Sequence, residues 1–336
     1  MKTNMNRKLT YSQGILEAYE YLLENHKDFF VIGQGLWSPW YVGATMNDLD
    51  AKFGKNRVID CPVSELATTG ATIGAAISGY RPMIVHPRVD FMLLAVDQIV
   101  TQAAKWRHMF GNESSAPVTF RAIINRGGQQ GAQHSQSLHS WFAHIPGLRV
   151  VMPYSAVDAR DLMIASVLSN DPVMFIDDRW LYEVEEDYRP VELVDIKNIK
   201  PAKLSSGDQV TIVGVSYTSK LCKEASDILA NDSISADTFD LRTLNPLDLT
   251  DVYASVSKTG RLLVVDGDWS TCGLAAEIIS KVMENIDISK MKANPQRITL
   301  PDAPAPTSKV LEDIYYIKTE DVVNAVQKLF VNEKVV

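Results

Sequence analysis

Short apolar runs alternate with longer stretches of helical periodicity along the first half of the chain. Residues 9–25 place apolar side chains at helical spacing, and residues 29–33 (FFVIG) follow as the first predicted strand. Further strands are predicted at residues 58–59, 83–85, 118–124, 149–152 and 173–176, and the longest intervening helix at residues 91–109. Strands that alternate with helices in this way are typical of a parallel sheet flanked by helices.

A polar segment separates this region from a second one with the same alternation. Residues 183–207 are polar, contain two prolines and include a charged run. Beyond them we predict strands at residues 209–215, 235–241 and 261–265, and helices at residues 219–229, 251–257, 273–285 and 319–330. A length of 336 residues also suits two domains better than one. The predicted fold class is therefore α/β, in two domains.

Composition and charge exclude several classes of protein. The chain is 46% hydrophobic and 22% charged, which is typical of a soluble globular protein. A net charge of −8, with no run of Lys or Arg, argues against a nucleic-acid partner. No apolar run reaches membrane-spanning length, the polar residues 1–8 lack the core of a signal peptide, and three cysteines lie far apart. We therefore expect a cytoplasmic protein with no membrane partner.

A helix of small residues is predicted directly after the strand at residues 58–59. Pro62 ends the strand, Ser64 stands at the N-cap position, and Glu65 is the one carboxylate at the beginning of this helix. A helix with so few side-chain atoms lets another group pack close to it. A carboxylate in a first turn also interacts favourably with the helix dipole, so the stretch alone leaves both roles open for Glu65.

A polar loop at residues 125–137 (NRGGQQGAQHSQS) follows the predicted strand at residues 118–124. Open α/β sheets bind ligands at the carboxyl ends of their strands, and the glycines of this loop allow close approach of the backbone to a ligand. We expect His134 to stand at the start of the next helix. It is either an acid, a base or a hydrogen-bond donor for a ligand, or a capping histidine.

Motifs of a self-sufficient enzyme do not occur in the sequence. It has no phosphate loop, no serine hydrolase elbow and no HExxH helix. The segment DGDW at residues 266–269 contains a tripeptide, GDW, similar to the GDG metal-diphosphate motif, but the third position of that tripeptide holds Trp269 instead of a small residue. Glu65 and His134 therefore look like parts of a site that another chain completes.

Several motifs together identify a family. Residues 57–65 (RVIDCPVSE) resemble the (K)RVIDTPISE segment of the β subunits of 2-oxo acid dehydrogenase E1 components. Residues 132–137 (AQHSQS) and 141–148 (WFAHIPGL) are similar to the same motifs of that family almost letter for letter. Shorter matches extend the resemblance over nearly the whole chain, at residues 97–100, 170–173, 240–243, 246–248 and 307–313.

The resemblance implies a thiamin diphosphate enzyme of transketolase-like architecture. A pyrimidine-binding domain would span residues 1–185, a linker residues 186–207, and a transketolase C-terminal domain residues 208–336. In this family a separate α subunit holds the diphosphate and its Mg²⁺, and active sites form at α/β interfaces of an α2β2 heterotetramer. The implied reaction decarboxylates a 2-oxo acid and transfers the acyl unit, usually to a lipoyl group on an E2 component.

The resemblance also implies roles for three residues. Glu65 matches the glutamate that hydrogen-bonds N1′ of the aminopyrimidine, where a shared proton favours the imino tautomer that deprotonates C2 of the thiazolium. Phe91 matches the aromatic residue that packs on the pyrimidine ring. His134 matches the histidine that faces the reacting intermediate and assists decarboxylation or acyl transfer.

The chain departs from the family before the pyrimidine aromatic. Where the family usually has EFM, this chain reads VHPRVDF at residues 85–91. We expect His86 and Arg88 to place positive potential near the cofactor pocket and to read a phosphate, carboxylate or sugar group of a substrate or partner. The alternative is an ion pair of Arg88 with Asp90 or with the α subunit.

Two further departures concern assembly and communication between sites. The acidic GED segment of the family is here GQG at residues 33–35, without the carboxylate that a proton link between two active sites would use. The chain also continues past Phe330 by residues 331–336, where bacterial relatives contribute to docking on the E2 core.

Two other functions stay open on the sequence alone. A split transketolase-like or carboligating thiamin diphosphate transferase of a specialised sugar pathway would use the same cofactor, and the departures at residues 85–88 and at the C-terminus favour it. A non-catalytic scaffold or regulatory subunit would keep the fold. Such a subunit has no need of Glu65 or His134, which argues against it.

Overall fold

The computed structural model describes residues 7–331 and resolves them into two compact units. The first unit comprises residues 7–126 and 141–199, and the second residues 127–140 and 200–331. The expectation about the C-terminal extension rests on residues 332–336, which lie outside the described residues, as do residues 1–6. Among the helices of residues 7–331, none is long and apolar enough to cross a membrane.

The strands agree closely with the apolar runs of the sequence. They are β1 (Lys8–Thr10), β2 (Phe29–Gly33), β3 (Val58–Asp60), β4 (Arg81–His86), β5 (Thr119–Ile124), β6 (Arg149–Val151), β7 (Val173–Asp178), β8 (Glu185–Asp187), β9 (Ala202–Ser205), β10 (Val210–Gly214), β11 (Ala236–Asp240), β12 (Thr243–Asn245), β13 (Leu262–Trp269) and β14 (Gln296–Leu300). The short strands β1, β8, β9 and β12, and also β14, have no counterpart in the sequence prediction.

The α-helices lie between most of these strands. They are α1 (Tyr11–Asn25), α2 (Leu49–Phe53), α3 (Glu65–Ile77), α4 (Val89–Met92), α5 (Ala104–Met109), α6 (His139–Ala143), α7 (Ala156–Leu168), α8 (Tyr217–Asn231), α9 (Thr250–Thr259), α10 (Leu274–Asn285), α11 (Lys309–Tyr315) and α12 (Thr319–Val331). The predicted α/β class is confirmed.

Six strands of the first unit lie side by side in the order β6-β7-β5-β4-β2-β3, and every pairing among them is parallel. All six residues of β5 and all six of β7 are buried, as expected for central strands covered by helices on both faces. Helices α1 and α7 pack closely together because Gly14 has no side chain. A Cβ atom at Gly14 would lie 2.3 Å from the backbone oxygen of Ala156.

A buried ion pair joins the two central strands. The guanidinium of Arg121 on β5 binds both carboxylate oxygens of Asp177 on β7, at 3.0 and 2.7 Å, and both side chains are fully buried. The hydroxyl groups of Tyr19, Thr45 and Tyr182 surround the same guanidinium at 3.0–3.3 Å. The charge is therefore satisfied by a complete set of partners, as a buried arginine requires.

The predicted helix at residues 91–109 is present, but it is not α-helical throughout. The chain passes from α4 into a 3₁₀ turn at Leu93–Ala95, then into a π-helix at Asp97–Ala103, and only then into α5. A π-helix shifts each backbone hydrogen bond by one residue and needs no particular residue type. For that reason the composition of this stretch gave no signal of the change.

The second unit contains a five-stranded sheet in the order β14-β13-β10-β11-β9. The first four strands are parallel, and β9 pairs antiparallel with β11 at the edge. Helix α8 buries Leu221, Ala225 and Leu229 on one face. This unit repeats the α/β alternation that the sequence predicts beyond residue 207.

Candidate active site

The carboxyl edge of the first sheet contains the point where the chain reverses its direction of travel across the sheet. From β2 the chain goes to β3 on one side, and from β4 it goes to β5 on the other, while β2 and β4 are neighbours. Ligands of open α/β sheets bind outside the carboxyl ends of the strands at such a switch point. Gln34 follows β2, Arg88 follows β4, and Glu65 begins the helix after β3.

Glu65 is the first residue of α3 and is buried, with 6% of its surface exposed. The side-chain amide of Gln34 donates a hydrogen bond to Oε1 of Glu65 over 3.1 Å. Among residues 7–331, this is the one hydrogen bond that the carboxylate accepts. Ser64 occupies the N-cap position as predicted, but its side chain makes no capping hydrogen bond. The carboxylate thus keeps an oxygen for another group.

The loop after β2 is tied to the end of β3. The backbone N–H of Gly35 donates to Oδ1 of Asp60 at 2.8 Å, and the N–H of Cys61 donates to the backbone oxygen of Gly33 at 2.9 Å. Gly35 has φ +66°, and a Cβ atom there would lie 2.3 Å from the ring of Tyr41. A glycine is therefore required at Gly35, and Gln34 is held in place beside Glu65.

Phe91 lies on α4 after β4, and 42% of its surface is exposed. An aromatic side chain that is exposed at the carboxyl edge of a sheet offers a flat apolar face to a ligand. Arg88, at the N-terminus of the same helix, is half-buried. Burial lowers its pKa most, while attraction to Asp90 opposes that change.

His86 does not carry the positive charge that we expected from the sequence. Its ring is 3% exposed, and its Nε2 atom lies 3.4 Å from the hydroxyl oxygen of Thr69 on α3. Burial lowers its pKa to about 4, so the imidazole is neutral at pH 7. The positive potential predicted for this segment therefore comes from Arg88 alone.

His134 belongs to the second unit, in an irregular loop. It lies in a turn in which its N–H donates to the backbone oxygen of Gly131 at 3.3 Å, and the next helix, α6, begins only at His139. The prediction that His134 starts a helix is therefore wrong. Its side chain is half-exposed.

Two side chains of the second unit hold this loop. The hydroxyl of Tyr316 accepts from the N–H of Gly127 at 3.2 Å, and the carboxylate of Glu312 accepts from the N–H of Gln129 at 2.8 Å. Gln129 has φ +62°, a conformation in which a residue other than glycine is uncommon. The loop is thus held in a defined shape by contacts to α11 and the residue after it.

Asp266 of the DGDW segment is engaged by the protein itself. Nε2 of His139 lies 2.9 Å from Oδ1 of Asp266, and Nδ1 of the same ring lies 3.0 Å from the hydroxyl of Ser137. Burial would raise the pKa of Asp266, but His139 and two backbone N–H groups outweigh it and hold the pKa below its usual value. Across residues 7–331, no group of three or more His, Cys, Asp or Glu side chains is arranged to hold a metal ion.

Comparison with known proteins gives the class to which this fold and site belong. Residues 7–184 match the family described as transketolase, pyrimidine binding domain, and residues 199–322 match the family described as transketolase, C-terminal domain. A solved structure titled split gene transketolase, inactive beta4 tetramer, superimposes with a TM-score of 0.76 at 19% identity over 97% of this chain and 99% of that one. The fold is therefore that of the transketolase-like proteins.

Relatives of higher identity define the family within this class. The β subunit of the pyruvate dehydrogenase E1 component of Rickettsia bellii (strain RML369-C) is 34% identical over 328 residues, which are 96% of this chain and 98% of that one. The β subunit of the acetoin:2,6-dichlorophenolindophenol oxidoreductase of Cupriavidus necator is 36% identical over 335 residues, at 96% and 98% coverage. The chain belongs to the family of 2-oxo acid dehydrogenase E1 component β subunits, as its motifs predict.

The contribution of Gln34 to the site was not foreseen. In the sequence, residues 33–35 show only a loss of acidic character, whereas in the structure the amide of Gln34 contacts Glu65. The signal was present, because Gln34 directly follows a predicted strand whose neighbour ends just before Glu65. Of the predicted residues, Glu65, His86, Arg88 and Phe91 belong to the first unit and His134 to the second.

Proposed function

We propose that this chain is the β subunit of a thiamin diphosphate-dependent E1-type enzyme and that Glu65 contacts the aminopyrimidine ring of the cofactor. The main support for this proposal is the burial, hydrogen bonding and position of the Glu65 carboxylate. Its carboxylate is buried, lies at the switch point of the sheet and, among residues 7–331, receives one hydrogen bond, from Gln34. Such a carboxylate fits a ring nitrogen with which it shares a proton.

Each predicted residue then has a defined task. Thiamin diphosphate, when bound, supplies a carbon nucleophile and an electron sink for decarboxylation. Glu65 holds the proton at N1′, and Phe91 offers its exposed ring to the pyrimidine. His134 donates a hydrogen bond or a proton to an oxygen of the substrate. Arg88 is the group for substrate or partner recognition, and the neutral His86 supports α3 through Thr69.

The binding site for the diphosphate and the acyl acceptor are supplied by other chains. We propose an α subunit that holds the diphosphate and Mg²⁺ in an α2β2 heterotetramer, and a lipoyl-bearing E2 component as the acyl acceptor. The names of the relatives support this assembly, because each is described as a β subunit of a larger enzyme. We place the complex in the cytoplasm, where the free thiols of Cys61, Cys222 and Cys272 would stay reduced.

Activity of the complete enzyme tests the proposal. The chain is co-purified with its α partner, loaded with thiamin diphosphate and Mg²⁺, and assayed on 2-oxo acids and ketose phosphates with 2,6-dichlorophenolindophenol or a lipoyl domain as acceptor. We expect turnover of a 2-oxo acid and reductive acylation of the lipoyl group. Carbon–carbon ligation without lipoyl transfer would show a transferase instead, and no turnover with any donor would show a scaffold.

The role of Glu65 is tested separately from turnover. In the complex carrying Glu65→Gln, exchange of the C2 proton of thiamin diphosphate, followed by NMR in deuterated water, should slow by about 100-fold or more. The exposed Glu113→Gln is the matched control and should exchange at the rate of the unchanged complex. Exchange at the normal rate in Glu65→Gln would exclude the proposed proton transfer.

A further inference from the structure

Three arginines leave the first sheet at the same edge. Arg88 comes two residues after the end of β4, Arg126 two residues after β5, and Arg179 directly after β7. The strands β4, β5 and β7 are parallel neighbours in that order. The three guanidinium groups therefore start from adjacent positions at the carboxyl edge, where ligands of such sheets bind.

A buried amide contacts the guanidinium of Arg179 and the backbone beside Arg88. Nδ2 of Asn125 donates to the backbone oxygen of Pro87 at 2.9 Å, and its Oδ1 accepts from Nη1 of Arg179 at 2.9 Å. Asn125 is only 4% exposed. One side chain thus holds both the backbone next to Arg88 and the guanidinium of Arg179.

Asp178 pairs with Arg126 and Asp90 attracts Arg88, whereas the described residues give Arg179 neutral hydrogen-bond partners. Nε of Arg126 pairs with Oδ2 of Asp178 at 2.8 Å, and both groups are buried. Burial is the largest effect and lowers the pKa of Arg88. The charge of Asp90 raises this pKa, and the charge of Arg179 lowers it. Within residues 7–331, the hydrogen bonds of the Arg179 guanidinium go to neutral oxygens, on Asn125 and on the backbone of Trp40 at 2.9 and 3.3 Å.

Arg88 and Arg179 repel each other at a ligand-binding edge, where the neutral amide of Asn125 binds the guanidinium of Arg179 and the backbone beside Arg88. We propose that Arg179 and Arg88 bind an anionic group of the substrate, a carboxylate or a phosphate that is separate from the carboxylate lost as carbon dioxide. The planar guanidinium matches both oxyanions through paired hydrogen bonds. This inference rests on the proposed function for the reaction, and it adds a specificity-determining residue, Arg179, that none of the sequence motifs includes.

Paired substrates test the inference in the complete enzyme. Pyruvate has no second anionic group, 2-oxoglutarate adds a carboxylate, and xylulose 5-phosphate adds a phosphate. In Arg179→Gln we expect KM for the accepted anionic substrate to rise by roughly 10- to 100-fold, the effect of one lost charge-assisted hydrogen bond, with KM for pyruvate unchanged. Arg88→Gln should act in the same direction, and Arg179→Lys should retain part of the affinity. Arg189→Gln removes one exposed positive charge of the same unit and is the matched control.

A binding measurement on the purified full-length chain separates this inference from the proposed function. Inorganic phosphate or succinate, compared with chloride at equal ionic strength, should raise the melting temperature of the unchanged chain but not that of Arg179→Gln or Arg88→Gln. The anion with the larger effect identifies the chemistry. Absent turnover together with this selective stabilisation would reject the proposed function alone.

Three outcomes would overturn the inference. The first is an equal loss of affinity for pyruvate and for the anionic substrates in Arg179→Gln, which would show a general structural role. The second is loss of association with the α partner, which would show that the arginines bind an acidic surface of that chain. The third is stabilisation by anions that is the same in the unchanged chain and in both variants.

Discussion

The side-chain amide of Gln34 donates a hydrogen bond to Oε1 of Glu65 over 3.1 Å. Gln34 leaves the end of β2 and Glu65 begins α3, so the contact joins two elements whose strands are parallel neighbours. An amide N–H stabilises a carboxylate but does not exchange a proton with it at ordinary pH. Gln34 therefore orients Glu65 and leaves any proton on the carboxyl to be shared with a ligand.

A carboxylate in place of Gln34 should make the stability of the chain depend on pH. In Gln34→Glu two carboxyl groups would lie about 3 Å apart, and since they do not both ionise readily, one pKa rises. A folded pKa above the unfolded value of about 4.3 gives stability that is complete below that pH and lost as pH rises through the folded pKa. Urea unfolding between pH 4 and 8 should show this decline relative to the unchanged chain.

Gln34→Leu is the control for this change, because it removes the hydrogen bond without adding a titratable group. Its unfolding free energy should fall less steeply with rising pH than that of Gln34→Glu, because one hydrogen bond to the carboxylate is lost but no second negative charge is added. If the two variants had the same slope, the side chain at this position would not be close to Glu65 in solution.

Acid should destabilise the fold through His86. Burial lowers the pKa of His86 to about 4 from the ordinary 6.5, so the unfolded chain binds a proton between these values and the folded chain does not. The unfolding free energy therefore falls as pH decreases from about 6.5 to about 4, by up to roughly 3 kcal/mol. In His86→Gln this part of the pH dependence should disappear, whereas the exposed His108→Gln should keep it. Equal slopes in both variants would contradict a buried neutral His86.

Removal of one partner from the buried pair of Arg121 and Asp177 should be costly. Asp177→Asn leaves a guanidinium with no counter-charge in a fully buried position, which typically costs about 3–5 kcal/mol. The double change Arg121→Met with Asp177→Leu should recover part of that loss, because no uncompensated charge remains. Urea unfolding followed by circular dichroism measures all three free energies.

An exposed ion pair provides the comparison for this experiment. Lys223 and Asp227 lie one turn apart on α8, with side chains that are 36% and 64% exposed. Lys223→Ala should therefore cost less than about 1 kcal/mol. A loss of similar size in Lys223→Ala and Asp177→Asn would mean that burial does not control the cost of breaking these pairs.

The six parallel strands of the first sheet, the strands β10, β11 and β13 of the second, and the location of Glu65 could be predicted because their signals are local. The apolar runs of β5 and β7 are strands buried along their whole length, and Pro62 and Ser64 mark the passage from β3 to α3. The family motif at residues 57–65 adds the proposed role of Glu65 to that local pattern. These features could be predicted because the residues that determine them lie close together in the sequence.

Features that depend on distant parts of the chain could not be predicted. His86 is neutral because α3 packs over β4 and brings Thr69 to its ring, and nothing beside residue 86 in the sequence shows this. Arg179 lies near Arg88 because only β5 lies between their strands, β7 and β4. The sequence pattern does not show this strand order. His134 lies in a turn because residues of α11 and beyond hold the loop.

The three cysteines should react with a thiol reagent in a fixed order. Cys272 is exposed, Cys61 is half-buried and Cys222 is buried. Burial, with a further contribution from Asp60, raises the pKa of Cys61, and burial raises that of Cys222 much more. The exposed thiol of Cys272 should react rapidly with Ellman's reagent. Because the thiolate is the reactive form, Cys61 should react at least roughly tenfold more slowly, and Cys222 only after unfolding. Cys272→Ser should remove the rapid phase alone. A rapid phase that persists in Cys272→Ser would show that Cys61 is more exposed in solution, and with it the end of β3 beside Glu65.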